Sequence, residues 1–310
     1  MILLTGCANP FLGKAVAAKL GRPLAACLLE RFPDGELHVE LRESVRGHTV
    51  FLLQPTSPPV ESHLFELLLL ADACRRAGAS RLVALTPYFG YARQDRRANG
   101  RDAIAARVAA DVLATAGIDQ VVAIDLHSRA AEGLFSMPAE HLSAVSLLAR
   151  AIRTHVTEGA VVMAPDLGAV KLANRYSTLL GRDVATISKT RISGREVKVQ
   201  QLVGNVRARS VVIVDDMIST GGTVAAAVRA AIAAGCLPDI SVVATHAVFT
   251  DQAADMLRAL PIGRIITTDT ITPRQDLALP VEIVSVAPLL ADVIGRLDHG
   301  LSLDDLISHG

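Results

Sequence analysis

Short apolar runs of strand length alternate with longer helical patterns along nearly the whole of this 310-residue chain. The runs Thr49–Leu53, Leu82–Leu85, Val121–Ile124, Val161–Ala164, Val211–Val214, Ser241–Ala244 and Arg264–Thr267 are rich in β-branched and aliphatic residues and read as strands. Between them, Pro59–Ala77, Ala103–Ala116, Ser143–His155, Ala169–Leu180 and Thr223–Ala234 read as helices. Such alternation is the pattern of parallel sheets covered by helices, so the expected class is α/β. The length suits two domains better than one, and a hydrophobic content of 51% supplies material for both cores. The boundary is expected near Pro138–Leu142, giving a first domain over 1–141 and a second over 142–310.

Composition narrows the function. Lysine plus arginine and aspartate plus glutamate both number 31, so the formal charge is zero and a broad nucleic-acid footprint is not expected. Tryptophan is absent and aromatics make up 3%, which leaves little to stack single-stranded bases upon. Cys7, Cys27, Cys74 and Cys236 are scattered without metal-ligand spacing and read as small hydrophobes in a reducing compartment. No apolar run reaches the length of a membrane span, and Met1–Cys7 lacks a cationic leader. A cytoplasmic protein without membrane or nucleic-acid partners is the expectation.

The segment VVIVDDMISTGGT, Val211–Thr223, carries the strongest chemical signal. Four apolar residues predict a buried parallel strand, with Asp215 and Asp216 at its expected end. Ser219, Thr220, Gly221, Gly222 and Thr223 follow, and then an alanine-rich helix. Strand ends in open α/β sheets open into ligand crevices. Small residues let backbone N–H groups approach an anion there, and the helix dipole favours it. The two acids would repel a phosphate, so they are expected to face sugar hydroxyls or a metal. A lone Asp-Asp would be an ordinary helix cap; the full order of strand, acids, glycines and helix points to a sugar-phosphate site. It lacks a P-loop lysine and is no dinucleotide fingerprint.

A second constellation is LVALTPYFGYARQDRR, Leu82–Arg97. Arg93, Gln94, Asp95, Arg96 and Arg97 gather charge within five positions after a compact aromatic turn. Guanidinium forks match phosphate oxygens, which suggests a triphosphate. Ser188–Gln201, SKTRISGREVKVQQ, is polar between apolar segments and reads as a hairpin or lid.

The first of these motifs resembles the phosphoribosyl pyrophosphate (PRPP) motif of type I phosphoribosyltransferases and PRPP synthetases, and PYFGYARQDRR resembles the ATP-site signature of PRPP synthetases. Similarity extends to RFPDGELHVELRESVRG (31–47), QPTSPPVESHLFELLLLADACRRAGA (54–79), AIDLH (123–127) and APDLG (164–168). The resemblance to the ribose-phosphate pyrophosphokinase family implies two similar phosphoribosyltransferase-like domains. It implies transfer of the β,γ-diphosphoryl group of ATP to the C1 hydroxyl of ribose 5-phosphate, giving PRPP and AMP. It also implies that Lys189 and Arg191 are catalytic, and that Arg93, Gln94 and Asp95 bind ATP. Phe32, Asp34 and Glu36 would complete that pocket across a subunit contact of a homo-oligomer. Asp215, Asp216 and Ser219–Thr223 would bind ribose 5-phosphate, and His127 and Asp166 would hold Mg2+. Ser219 stands where many members carry aspartate, so the loop resembles the archaeal-type branch. Leu167, Ala169 and Ala98–Asp102 also differ from the commoner pattern. A PRPP-consuming phosphoribosyltransferase would explain VVIVDDMISTGGT but not PYFGYARQDRR. A noncatalytic regulatory homologue would be expected to lack Lys189, Arg191 or His127, and all three are present.

Overall fold

The computed structural model describes residues 1–191 and 197–307, with the side chains of 189–191 and 197–200 outside that description. The side chains of Lys189 and Arg191, and residues 192–196 of the expected hairpin, therefore lie outside the described residues.

The chain forms two compact units. The first contains β1 (Ile2–Thr5), α1 (Pro10–Leu20), β2 (Cys27–Arg31), β3 (Leu37–Leu41), β4 (Thr49–Leu53), α2 (Val60–Arg76), β5 (Arg81–Thr86), α3 (Ala105–Thr115), β6 (Gln120–Ile124) and β7 (Ala139–Leu142). The second contains α4 (Val145–Arg153), β8 (Val161–Ala164), α5 (Val170–Leu180), β9 (Asp183–Arg191), β10 (Val197–Val203), β11 (Val211–Ile218), α6 (Gly222–Ala233), β12 (Ile240–Ala247), α7 (Asp251–Arg258), β13 (Arg264–Thr268) and β14 (Val281–Val284). The final helix, α8 (Ala287–His299), returns to the first unit. The sequence-based division assigned all of 142–310 to one domain. Compactness instead sends α8 back, because it packs on α1 and Arg296 Nη2 ties it to Asp305 Oδ2 at 3.1 Å. Backbone contacts then hold the C-terminal segment to the end of β7: Ser143 N–H donates to Leu306 O at 3.3 Å.

The first unit is built on a parallel sheet in the order β1-β4-β5-β6-β7, with β2 and β3 forming a separate antiparallel hairpin. Its central strands are apolar on both faces, as a sheet covered twice requires. Val50, Phe51, Leu52 and Leu53 of β4 and Leu82–Leu85 of β5 are all buried. Helix α2 seals one face with Leu67, Leu70, Ala71 and Cys74, a three-to-four-residue spacing that lines up one side of a helix.

Two loops of this sheet are fixed at close quarters. Glu66 of α2 is buried, yet its carboxylate accepts the Cys7 N–H at 2.6 Å and the Gln54 amide Nε2 at 2.9 Å. Those bonds offset the cost of burying a charge. Burial and the neighbouring Glu66 push the Cys7 thiol up to about 12, so it is a hydrogen-bond donor here and not a nucleophile. The turn Pro87–Tyr91 is clamped to the chain leaving β4: Thr56 N–H donates to Tyr88 O at 2.9 Å, and Gly90 N–H donates to Thr56 Oγ1 at 2.6 Å.

The second unit carries the order β10-β9-β8-β11-β12-β13-β14, parallel except for β10, which runs antiparallel to β9. The backbone arms of the expected hairpin thus pair, with Lys189 opposite Val199 and Arg191 opposite Val197. The strand expected over Val211–Val214 runs on to Ile218, which places Asp215 and Asp216 inside β11 and not beyond it. The reason is one-sided pairing. β12 matches β11 through Met217 and Ile218, whereas β8 matches only Val211–Ile213.

A Cβ built on Gly90 would lie 2.5 Å from Thr56 O and 2.6 Å from Val60 Cγ1. Gly90→Ala should therefore destabilise the first unit by about 1–3 kcal/mol, the usual cost of overpacking. Denaturant unfolding with an unchanged midpoint would contradict this packing.

Candidate active site

In an open parallel sheet, a crevice forms where the strand order reverses direction, because neighbouring connections leave to opposite faces. In the second unit that reversal lies between β8 and β11: from β8 the chain steps to β9 on one side, and from β11 to β12, β13 and β14 on the other. β8 ends at Ala164 while β11 continues to Ile218, so the C-terminal part of β11 lacks a strand partner on the β8 side. Asp215 and Asp216 stand on this stretch, and Asp166 follows the end of β8.

These acids influence one another. The Asp215 carboxyl is held well above the usual carboxylate range, first by burial and then by the negative charges of Asp216 and Asp166. Its Oδ1 accepts the Asp216 N–H at 2.9 Å, a bond that favours the ionised form but does not offset the rest. Asp166 is more comfortable: its Oδ1 accepts the N–H of Gly168 at 3.0 Å and of Ala169 at 3.3 Å. A cluster of this kind favours a cation or hydroxyl donors beside it.

The loop after β11 has the opposite character. Gly221 caps α6 at φ +77, a left-handed conformation open to glycine, and brings no capping side chain. The first turn of α6 contains no acid. The first N–H groups of a helix lack intrahelical acceptors, so an anion is welcome there. Beneath the loop, Phe249 N–H donates to Ile218 O at 3.0 Å and Thr250 N–H to Ser219 O at 3.0 Å. Leu257 of α7 crowds Gly221, whose added Cβ would meet its Cγ at 3.2 Å. Ser219, Thr220, Gly221, Gly222 and Thr223 are thereby held from below, with Thr220 exposed above.

The remaining expected residues lie in the first unit. His127 is exposed just past β6, after Asp125 and Leu126, which are buried. In the turn after β5, Arg93 and Gln94 are exposed, whereas the Asp95 carboxylate is only 6% exposed and faces Arg96 Nε at 3.7 Å. Phe32, Asp34 and Glu36 occupy the tip of the β2–β3 hairpin and all three are exposed. That tip is tied by Phe32 N–H to Glu36 O at 2.8 Å and Glu36 N–H to Asp34 Oδ1 at 3.1 Å. The structure thus brings Asp166, Asp215 and Asp216 together in the second unit, while the Arg93 turn, the hairpin tip and His127 belong to the first.

Sequence reasoning passed over the residues that hold these loops: Thr56, Glu66, His141 and Thr250. Each acts through hydrogen bonds to distant backbone, a pairing that no local spacing announces.

Among the described residues no set of three or more His, Cys, Asp and Glu side chains forms a metal cage. Magnesium does not need one. It takes one or two carboxylates, keeps several waters and binds substrate phosphates, and the Asp166 carboxylate just past β8 is of the kind that suits such an ion.

Removing the charge by Asp215→Asn relieves this crowding. A folded-state value raised above the unfolded one means that ionised Asp215 costs stability, and the cost grows as pH rises through the folded value. Without divalent cations, the variant should melt measurably higher than the parent at pH 8, with the gap closing toward pH 4. Equal melting temperatures at pH 8 would contradict the assigned electrostatics.

Residues 1–117 match the family model described as the N-terminal domain of ribose phosphate pyrophosphokinase, and residues 135–259 match the phosphoribosyl transferase domain. The chain is 38% identical over 309 residues to a ribose-phosphate pyrophosphokinase of Maricaulis maris, covering 99% of each. It is 39% identical to ribose-phosphate pyrophosphokinase 1, chloroplastic, of Oryza sativa, covering 97% of this chain and 77% of the rice protein. The crystal structure of phosphoribosylpyrophosphate synthetase from Mycobacterium smegmatis superposes with a TM-score of 0.91 at 36% identity, covering 96% of this chain and 99% of that one.

Proposed function

The chain belongs to the ribose-phosphate pyrophosphokinase family, and from that premise we infer how its residues divide the work. The enzyme transfers the β,γ-diphosphoryl group of ATP to the C1 hydroxyl of ribose 5-phosphate. The C1 oxygen attacks the β-phosphorus, the bond from that phosphorus to the bridging oxygen of AMP breaks, and the hydroxyl proton is released. Little covalent chemistry falls to the protein in such a transfer, so alignment and charge neutralisation carry the rate.

The observation that carries the residue assignment is the switch point between β8 and β11, where acids and an uncapped glycine-led helix lie side by side. Asp215 and Asp216 accept hydrogen bonds from the ribose hydroxyls. Ser219, Thr220, Gly221, Gly222 and Thr223 hold the 5-phosphate through backbone N–H and hydroxyl groups. A serine at 219, as in the archaeal-type loop, adds a hydroxyl where an aspartate would repel that phosphate. Arg93, Gln94 and Asp95 bind the nucleotide. Phe32, Asp34 and Glu36 reach the nucleotide of a neighbouring subunit, which makes the working form a homo-oligomer; their exposure on a hairpin tip supports this. Asp166 and His127 are the residues that would hold Mg2+, and the ion would supply neutralisation of the phosphate charge. Lys189 and Arg191 stabilise the charge that develops on the transferred group.

Phosphorus NMR of the protein with ATP, ribose 5-phosphate and Mg2+ should show AMP and PRPP in equal amounts. ADP with a ribose bisphosphate would mean transfer of a single phosphoryl group and would overturn the reading. Lys189→Ala should lower kcat by about 10²–10³, the usual cost of removing a charge-stabilising donor, with ATP affinity near the parent's. Undiminished turnover would remove Lys189 from the mechanism.

A further inference from the structure

The turn that leaves β6 is held in an unusual way. Asp125 adopts φ +40, a left-handed conformation that costs an ordinary residue energy and persists only where neighbours enforce it. Its own N–H continues the ladder, donating to Leu142 O of β7 at 2.9 Å, and its Oδ1 accepts the Ser143 hydroxyl at 2.8 Å. The left-handed step then takes the chain out of the extended conformation. The next N–H, that of Leu126, leaves the ladder of backbone carbonyls while still buried. A buried N–H without an acceptor is costly. A side chain takes it up: Leu126 N–H donates to His141 Nε2 at 2.8 Å.

His141 is itself locked. It sits in β7 opposite Ala123, is 5% exposed, and places Nδ1 3.2 Å from Glu132 Oε1 on the short 3-10 turn Arg129–Leu134. Because Nε2 accepts, the ring proton belongs on Nδ1, donated to Glu132. We propose that His141 is a positioning residue for the transfer reaction, its Nε2 fixing through the Leu126 amide the direction in which His127 leaves β6. This rests on the reading that His127 belongs to the magnesium site. The role needs a neutral ring, since a second ring proton would face the Leu126 N–H head on. Burial lowers the His141 pKa; the nearby carboxylates of Glu132 and Asp125 oppose that effect and the Arg129 guanidinium adds to it.

The test uses the full chain labelled with [15N]histidine, together with His141→Leu, His141→Gln and His127→Ala. His141→Gln places an amide oxygen near the position of Nε2 and keeps the acceptor; His141→Leu removes it. In the parent, the His141 signal, identified by its loss in H141Q, should report a protonated Nδ1 and a bare Nε2 at pH 7.5. H141L should lose Leu126 amide-exchange protection at least tenfold and raise the Mg2+ half-saturation of turnover by about tenfold. That is the lower end of the effect of removing partners that orient metal ligands. H141Q should restore most of both, and the KM for ribose 5-phosphate should stay near the parent value. A protonated Nε2 in the parent overturns the proposal whatever the activity of the variants. So does parental Leu126 protection or parental Mg2+ half-saturation in H141L, provided H127A weakens the Mg2+ response. If H127A leaves the Mg2+ response untouched, the reading of His127 has failed, and Leu126 exchange alone decides whether His141 holds the turn.

Discussion

Everything in the second unit is arranged around a place where a parallel sheet runs out of partners on one side. β8 stops at Ala164, β11 continues to Ile218, and the chain connections diverge to opposite faces. That geometry lets two carboxylates sit within a strand without being sealed beneath a neighbour. It also leaves them close enough to Asp166 that the negative charges strain one another. Carboxylates crowded in this way cost stability, the familiar trade between a strained site and a quiet fold. The glycine-led start of α6 supplies the other half, since its N–H groups invite the anion that the acids repel.

The first unit handles its loops differently. Its sheet order advances steadily from β1 to β7 without reversal, and its strand ends are fastened by side chains reaching backbone: Thr56 to Gly90, Glu66 to Cys7, His141 to Leu126. Tyr91 at φ +65 and Asp125 at φ +40 are the strained residues such fastening permits. The exposed Arg93 and Gln94 therefore project from a turn whose base is rigid.

The long apolar runs made the α/β class and most central strands legible from residue type alone. β4, β8 and β13 fall within a residue of where valine and isoleucine place them. The end of β11 was not legible, because aspartate is poor in strands and only the one-sided partnership with β12 keeps Asp215 and Asp216 extended. β7 escaped notice for a similar reason: Ala139–Leu142 is four residues long with two polar ones among them. The phosphate-loop motif and the Arg93 turn were visible as motifs because their chemistry is written in adjacent residues. The acceptor role of His141 was hidden, since the need for it arises from the backbone of Asp125. No residue type advertises a positive φ at an aspartate.

The return of α8 to the first unit has a consequence for how the protein is made. A ribosome delivers β1–β7 first, then the whole of the second unit, and only afterwards the helix that covers α1. Helix α1 must wait through the synthesis of roughly half the chain with that face uncovered, at about 5–20 residues per second. During that interval the second unit, which is nearly contiguous in sequence, has all its strands and can close first. The N-terminal half of the polypeptide is therefore the last to be finished, and the segment most in need of protection on a nascent chain is the one that emerges earliest.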